Sequence, residues 1–203
     1  MSDTIALGLP GVTLEPGDHI CAFYRGAGGR DEVLLPYLRA GLEAGDKCIA
    51  VLDQVEPDDV RESLAGADGE AGGVDLLRSS EVYLRDGHFS TSAMLRFWEE
   101  SIGENFSAGQ YTFARSLGEM TWALRQLPGV EDLVEYESEL NRFLPQYPQV
   151  IMCLYDLDLF DGRVVVDLLR THPKLLLFGS LLDNPYYLEP DEFLATRAGE
   201  RSS

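Results

Sequence analysis

A chain of 203 residues, 45% hydrophobic and 25% charged, can bury a full core as one domain without disulfide or metal staples. Its formal net charge of −19, from 35 acidic and 16 basic residues, excludes a broad basic surface for nucleic acid or an anionic membrane. Three cysteines (Cys21, Cys48, Cys153), each inside an apolar run, together with no signal-peptide start and no apolar run near the roughly 20 residues of a membrane span, predict reduced thiols in a cytoplasmic protein.

Residues 1–14 read as an N-terminal arm, which leads through Pro16-Gly17 into a first strand, Ile20 to Tyr24. A glycine-rich loop, Gly26 to Gly29, follows. Asp31 is placed to cap a helix whose apolar positions Leu34, Leu35, Tyr37, Leu38 and Leu42 recur at helical spacing. Cys48 to Leu52 is apolar on both faces, the pattern of a buried parallel strand, and ends in Asp53-Gln54. Pro57 opens a short helix reaching Ala65, with proline in the tolerated first turn. The glycine-rich acidic stretch 66–73 reads as a mobile loop, and Val74 to Leu77 and Val82-Tyr83 as short strand pieces. Ser90 caps a long helix that turns Met94, Leu95, Trp98 and Ile102 inward.

Tyr111 to Leu117 reads as the third major strand, with Glu119 already on the turn or helix beyond it. That helix breaks at Pro128-Gly129, and a second runs from Val130 to Phe143. Val150 to Asp156 is the strongest strand. A helix from about Arg163 to Arg170 and a strand from Leu175 to Phe178 follow, and 196–203 reads as a disordered tail. Strands alternating with helices predict a three-layer α/β sandwich around a mainly parallel sheet. Ligands in such folds bind at the carboxyl ends of the strands. The residues collected there are Tyr24, Arg25, Asp53, Gln54, Ser116 to Glu119, Asp156 and Gly179.

Strand, glycine loop and helix form the layout by which α/β proteins hold phosphate. A Walker A loop, however, needs Lys on the outer phosphates and Ser or Thr on magnesium. Arg30 and Asp31 follow the glycines here, and a carboxylate at that point repels a triphosphate. No G-x-S-x-G elbow surrounds Ser116 or Ser180, and histidines 19, 88 and 172 specify no acid–base pair. His19 and Cys21 share one face of their strand, but no CxxC or HxxxH partner exists, so neither a metal nor a cofactor is expected.

The segment Asp18-His19-Ile20-Cys21-Ala22-Phe23-Tyr24 resembles the H-x-C-x-x-Y signature of the MEDS domain, the methanogen/methylotroph sensory domain named after a dichloromethane-responsive regulator. The resemblance continues through Arg115 to Trp122, Glu135-Tyr136-Glu137 with Leu140-Asn141, Cys153 to Asp156, His172-Pro173 and Asn184 to Tyr187. It implies a RecA/KaiC-like core over residues 15–195, a degenerate form of the P-loop NTPase fold. It also implies a small, often hydrocarbon-derived ligand and output to transcription or a kinase. No helix-turn-helix or kinase segment is evident, so the implied partner is a separate protein such as a histidine kinase, an anti-sigma factor or a transcription regulator. A homo-oligomer is left open. An ATPase of this type ends its third major strand in a magnesium-binding Asp, where this chain reads Ala114-Arg115-Ser116, and only Asp53 stands where such ATPases carry a catalytic acid. Lacking both electrostatic clamps of phosphoryl transfer, the chain is expected to be a pseudo-ATPase and no enzyme.

The candidate ligand-binding residues are therefore His19, Cys21, Tyr24, Arg25, Asp53, Glu119, Trp122, Tyr136 and Asp156, with no catalytic residue among them. Glu119 and Trp122, three apart, suit either a polar ligand contact or a helix start beside the core. Two other readings stay open. One is nucleotide binding retained through the 26–29 loop. The other is an enzyme using His19, Cys21 and Glu119.

Overall fold

The apolar runs pair into a single sheet in the computed structural model, which describes residues 5–65 and 73–201. The 66–72 portion of the expected mobile loop lies outside the described residues. A small antiparallel hairpin, β1 (Ile5–Ala6) with β2 (Thr13–Leu14), precedes β3 (His19–Tyr24), α1 (Gly26–Ala44), β4 (Lys47–Leu52), α2 (Pro57–Leu64) and β5 (Val74–Arg78). Then come α3 (Thr91–Ser107), β6 (Ala114–Glu119), α4 (Leu133–Phe143), β7 (Gln149–Asp156), α5 (Gly162–Thr171), β8 (Lys174–Leu177), β9 (Ser180–Asp183) and α6 (Pro190–Arg201). The sheet order is β5-β4-β6-β7-β3-β8-β9, parallel except for β9.

Side-chain alternation along the strands sends residues to two cores. Ile20, Ala22 and Tyr24 of β3 join Leu34, Tyr37 and Leu38 of α1 and Val60 of α2 on one face. Cys21 and Phe23 face Trp98 of α3, Leu140 of α4, Leu168 of α5 and Phe193 of α6 on the other. The result is the expected three-layer α/β sandwich.

Several boundaries differ from the sequence reading, each for a local reason. Helix α1 starts at Gly26, directly after Arg25, so the glycines form its first turn rather than a loop and Asp31 lies inside the helix. Strand β6 begins at Ala114 and runs through to Glu119, because its ladder to β7 continues to the Glu119–Leu154 pair. The strand therefore does end in a carboxylate, five residues beyond its start. Residues 120–124 form a 3-10 turn where a helix was expected, and Val82-Tyr83 lies in a turn. A β8–β9 hairpin turns on Phe178 and Gly179, both at positive φ, and ends the sheet with a strand the sequence did not announce. The stretch 196–201, expected as tail, continues α6. The Ser90 cap holds, with its side chain accepting from the Ala93 N–H at 3.4 Å.

Candidate functional site

At the carboxyl edge of the sheet, β3, β4, β6 and β7 bring Tyr24, Asp53, Glu119 and Asp156 to the α1 side. Glu119, fully buried at the end of β6, receives the chain as it leaves β4. Its Oε2 accepts from the backbone N–H groups of Asp53 (2.7 Å), Gln54 (2.8 Å) and Val55 (3.5 Å). Three convergent N–H groups make an anion nest, here filled by the protein's own carboxylate. The other oxygen, Oε1, has no hydrogen-bond partner and faces the Arg30 guanidinium at 3.5 Å. Arg30 is itself buried and tied to Asp31 at 2.8 Å. Asp53 accepts from Thr121 Oγ1 (2.8 Å), from Arg125 Nη2 (2.6 Å) and from the Ser79 hydroxyl.

Asp156 ends β7 beside the start of α1. Its Oδ1 accepts from the Gly26 N–H at 3.3 Å and from the Asp158 N–H at 3.0 Å. A helix N-terminus attracts anions through its unpaired N–H groups; here the anion is a side chain. Tyr24 Oη is buried and has no hydrogen-bond partner. Burial, with the Glu119 and Asp156 charges adding to it, pushes its phenol up from the ordinary tyrosine range. Arg25 is exposed and lies 3.7 Å from Asp158.

A second cluster sits on the opposite face, between the sheet and α4 and α5. His19, Glu137, Cys153 and His172 place one ligand-type atom each within 4.8 Å of one another, and all four are buried. Glu137 Oε2 lies 3.2 Å from His19 Nε2, 3.3 Å from His172 Nε2 and 3.4 Å from Cys153 Sγ. The Tyr155 hydroxyl donates to Glu137 Oε1. Burial and the nearby His172 lower the His19 pKa to about 4. Burial works to raise the Glu137 carboxyl, but His172 and His19 outweigh it and hold it below the usual carboxylate range.

The sequence matches the family described as MEthanogen/methylotroph, DcmR Sensory domain over residues 18–173. The chain belongs to the MEDS family. The transcriptional repressor DcmR of Methylorubrum extorquens (strain DSM 6343 / CIP 106787 / DM4) is 31% identical over 175 residues, which are 80% of this chain and 60% of the repressor. The MEDS chain thus spans 60% of that relative's length. In fold it is similar to a KaiC-like protein of Pyrococcus horikoshii OT3, with TM-score 0.59, 14% identity and coverage of 86% of this chain and 80% of the other. An uncharacterised Pyrococcus horikoshii protein solved with an unknown peptide has TM-score 0.61 and 12% identity, over 80% of this chain and 77% of its own. The MEDS chain therefore has a KaiC-like, RecA-type α/β fold. Among its described residues no helix is long and apolar enough to cross a membrane.

The nine candidate residues divide between these places. Tyr24, Asp53, Glu119 and Asp156 meet at the strand ends, with Arg25 exposed beside them. His19 and Cys21 point to the other face. Trp122 and Tyr136 are fully enclosed there, Trp122 between Tyr83 and Phe89 at 4.6 Å each and Tyr136 accepting from Trp98 Nε1 at 2.7 Å. Glu119 and Trp122 do not share a face, because β6 continues through Glu119 and the turn after it is 3-10. Arg30, Thr121 and Arg125 at the strand ends, and Glu137, Cys153 and His172 in the buried cluster, were not singled out as site residues. Motif fragments around the last three were visible, but their convergence depends on α4 and α5 packing on β3 and β7.

The three thiols are buried, and burial raises their pKa values, to about 12 for Cys48. A bulky disulfide reagent is expected to label none of them in the native MEDS domain and all of them after unfolding. Rapid native labelling of Cys21 would place it in an open channel.

Proposed function

We propose that this chain is a small-molecule sensory domain that does not hydrolyse nucleotide and signals through a protein partner. The strand-end arrangement carries the reading. The helix N-terminus where such folds hold phosphate meets the Asp156 carboxylate, and the basic side chain beyond the glycines, Arg30, is tied to Asp31 and Glu119. A triphosphate would meet a carboxylate already seated on the helix N-terminus there. Beside it, Tyr24 Oη is buried without a hydrogen bond, and Glu119 Oε1, also without one, has only the Arg30 guanidinium at 3.5 Å. A buried polar atom without a partner, such as Tyr24 Oη, costs about 1–3 kcal/mol until something pairs with it. A small ligand with a donor for Glu119 and a polar atom for Tyr24 fits that demand. Membership in a sensory-domain family and likeness to a repressor support regulation as the output. The regulator or kinase that receives the signal is part of the proposal.

The test is binding of a panel of small oxygenated and halogenated hydrocarbons, read by thermal shift and calorimetry on wild type, Tyr24→Phe and Glu119→Gln. Loss of one charged hydrogen bond costs about 1.5–3 kcal/mol, so Glu119→Gln should weaken the wild-type ligand roughly ten- to hundredfold. Unchanged affinity in both variants would leave these residues as structural ties and remove the strand ends as the sensing site.

A further inference from the structure

We propose that His19, Glu137, Cys153 and His172 form a closed binding centre for a zinc-type transition-metal dication. The proton positions around the cluster lead to this. Asn141 Nδ2 donates to the carbonyls of Glu137 (3.2 Å), Ser138 (3.2 Å) and Thr171 (2.8 Å), which fixes its amide so that Oδ1 faces His19 Nδ1 at 3.1 Å. That oxygen only accepts, so Nδ1 of His19 carries a hydrogen and Nε2 is the ring atom left to face Glu137 Oε2. His172 Nδ1 lies 2.9 Å from the Leu168 carbonyl, with the same consequence, and its Nε2 is buried with no hydrogen-bond partner. Two imidazole Nε2 atoms, a carboxylate oxygen and the Cys153 thiol thus converge, and a metal ion would take the place of the protons they share.

Four of the six ligand-atom separations are close to those of a coordination shell, and all six lie within 4.8 Å. Tetrahedral bonds of about 2.0–2.3 Å to N, O and S place neighbouring ligand atoms roughly 3.3–3.8 Å apart. The separations are 3.2 Å (His19–Glu137), 3.3 Å (His172–Glu137), 3.4 Å (Cys153–Glu137) and 3.6 Å (Cys153–His19). The outer contacts are those of a metal site, with each imidazole held through its other nitrogen and Glu137 held by Tyr155. Imidazole, carboxylate and thiolate together suit zinc or another borderline dication and not magnesium or calcium. Four protein ligands and full burial leave no open position, so the centre ties β3, β7, α4 and α5 together and does not act on substrate. Loading replaces the Cys153 S–H proton, which is released to water as the sulfur–metal bond forms.

The test uses the full chain, expressed untagged in zinc-supplemented medium and purified without chelator. Elemental analysis should find about one zinc per chain. Unfolding in chelator and refolding with Co2+ should give a thiolate-to-cobalt charge-transfer band. Cys153→Ser should lose the band, while Cys48→Ser, on the other face of the sheet, should keep it. Wild-type chain that purifies without metal and refolds with Co2+ to its native circular dichroism without the band would overturn the proposal, whether or not any variant folds. The cluster would then be a metal-free arrangement of Glu137 between His19 and His172. A band that survives in Cys153→Ser would also overturn it, since the metal would lie elsewhere.

Discussion

Trp122→Ala is expected to destabilise the domain by about 3–5 kcal/mol, the range for removing a large aromatic from a core. For a domain of this length that lowers the melting temperature by roughly 6–20 °C. Trp122 is wholly excluded from water, stacks on Tyr83 at 4.6 Å with 14° between ring planes, and packs on Phe89. Tyr83 in turn fits over β6 because residue 118 is glycine, where a Cβ would stand 2.4 Å from the Tyr83 hydroxyl. The indole N–H of Trp122 has no hydrogen-bond partner, so Trp122→Phe removes a buried donor along with volume and should cost clearly less than alanine. Denaturant unfolding of the three proteins measures both steps. A cost below about 1 kcal/mol for Trp122→Ala would mean the ring is not enclosed as described.

Asp46→Ala is expected to cost a similar amount for a different reason. Arg115 is buried within β6, with its Nε 2.6 Å from Asp46 Oδ2, its Nη1 2.7 Å from the Ala6 carbonyl, and its guanidinium 5.6 Å from the Tyr37 ring centre. Removing the carboxylate leaves a buried cation with one neutral acceptor, and breaking such a pair from one side typically costs about 3–5 kcal/mol. Replacing both partners, as Asp46→Ala with Arg115→Met, should recover part of the loss, since the second change removes the stranded charge. A double variant no more stable than Asp46→Ala would show that Arg115 acts through packing against Tyr37.

The layers of the fold were legible because the parallel strands are apolar on both faces: Cys48 to Leu52 and Val150 to Asp156 could only be interior strands. The end of β6 was harder to place. Arg115 and Ser116 read as the close of a strand and Gly118 as the turn after it, yet each is fitted into the sheet by a partner from elsewhere: Asp46 for Arg115, Tyr37 through the Ser116 carbonyl, and Tyr83 over Gly118. Glu119 consequently moved from a helix start to a strand end, where it faces Arg30. Tyr24 and Asp156 were visible as strand ends. Trp122 was assigned to the ligand because its spacing from Glu119 assumed a helix, and a 3-10 turn carries it into the core. The buried cluster was hidden for another reason. His19 was visible, but Glu137, Cys153 and His172 follow it by more than a hundred residues, so no local spacing rule connects them.

Native mass spectrometry of the full chain with millimolar magnesium-ATP tests the central claim most directly. The account predicts the mass of the chain with no nucleotide adduct, and no release of phosphate in the same solution, because Asp156 meets the first turn of α1 and Arg30 is held by Asp31 and Glu119. A stable ATP or ADP adduct that disappears in Arg30→Ala would contradict it, and would make the strand ends a working nucleotide site.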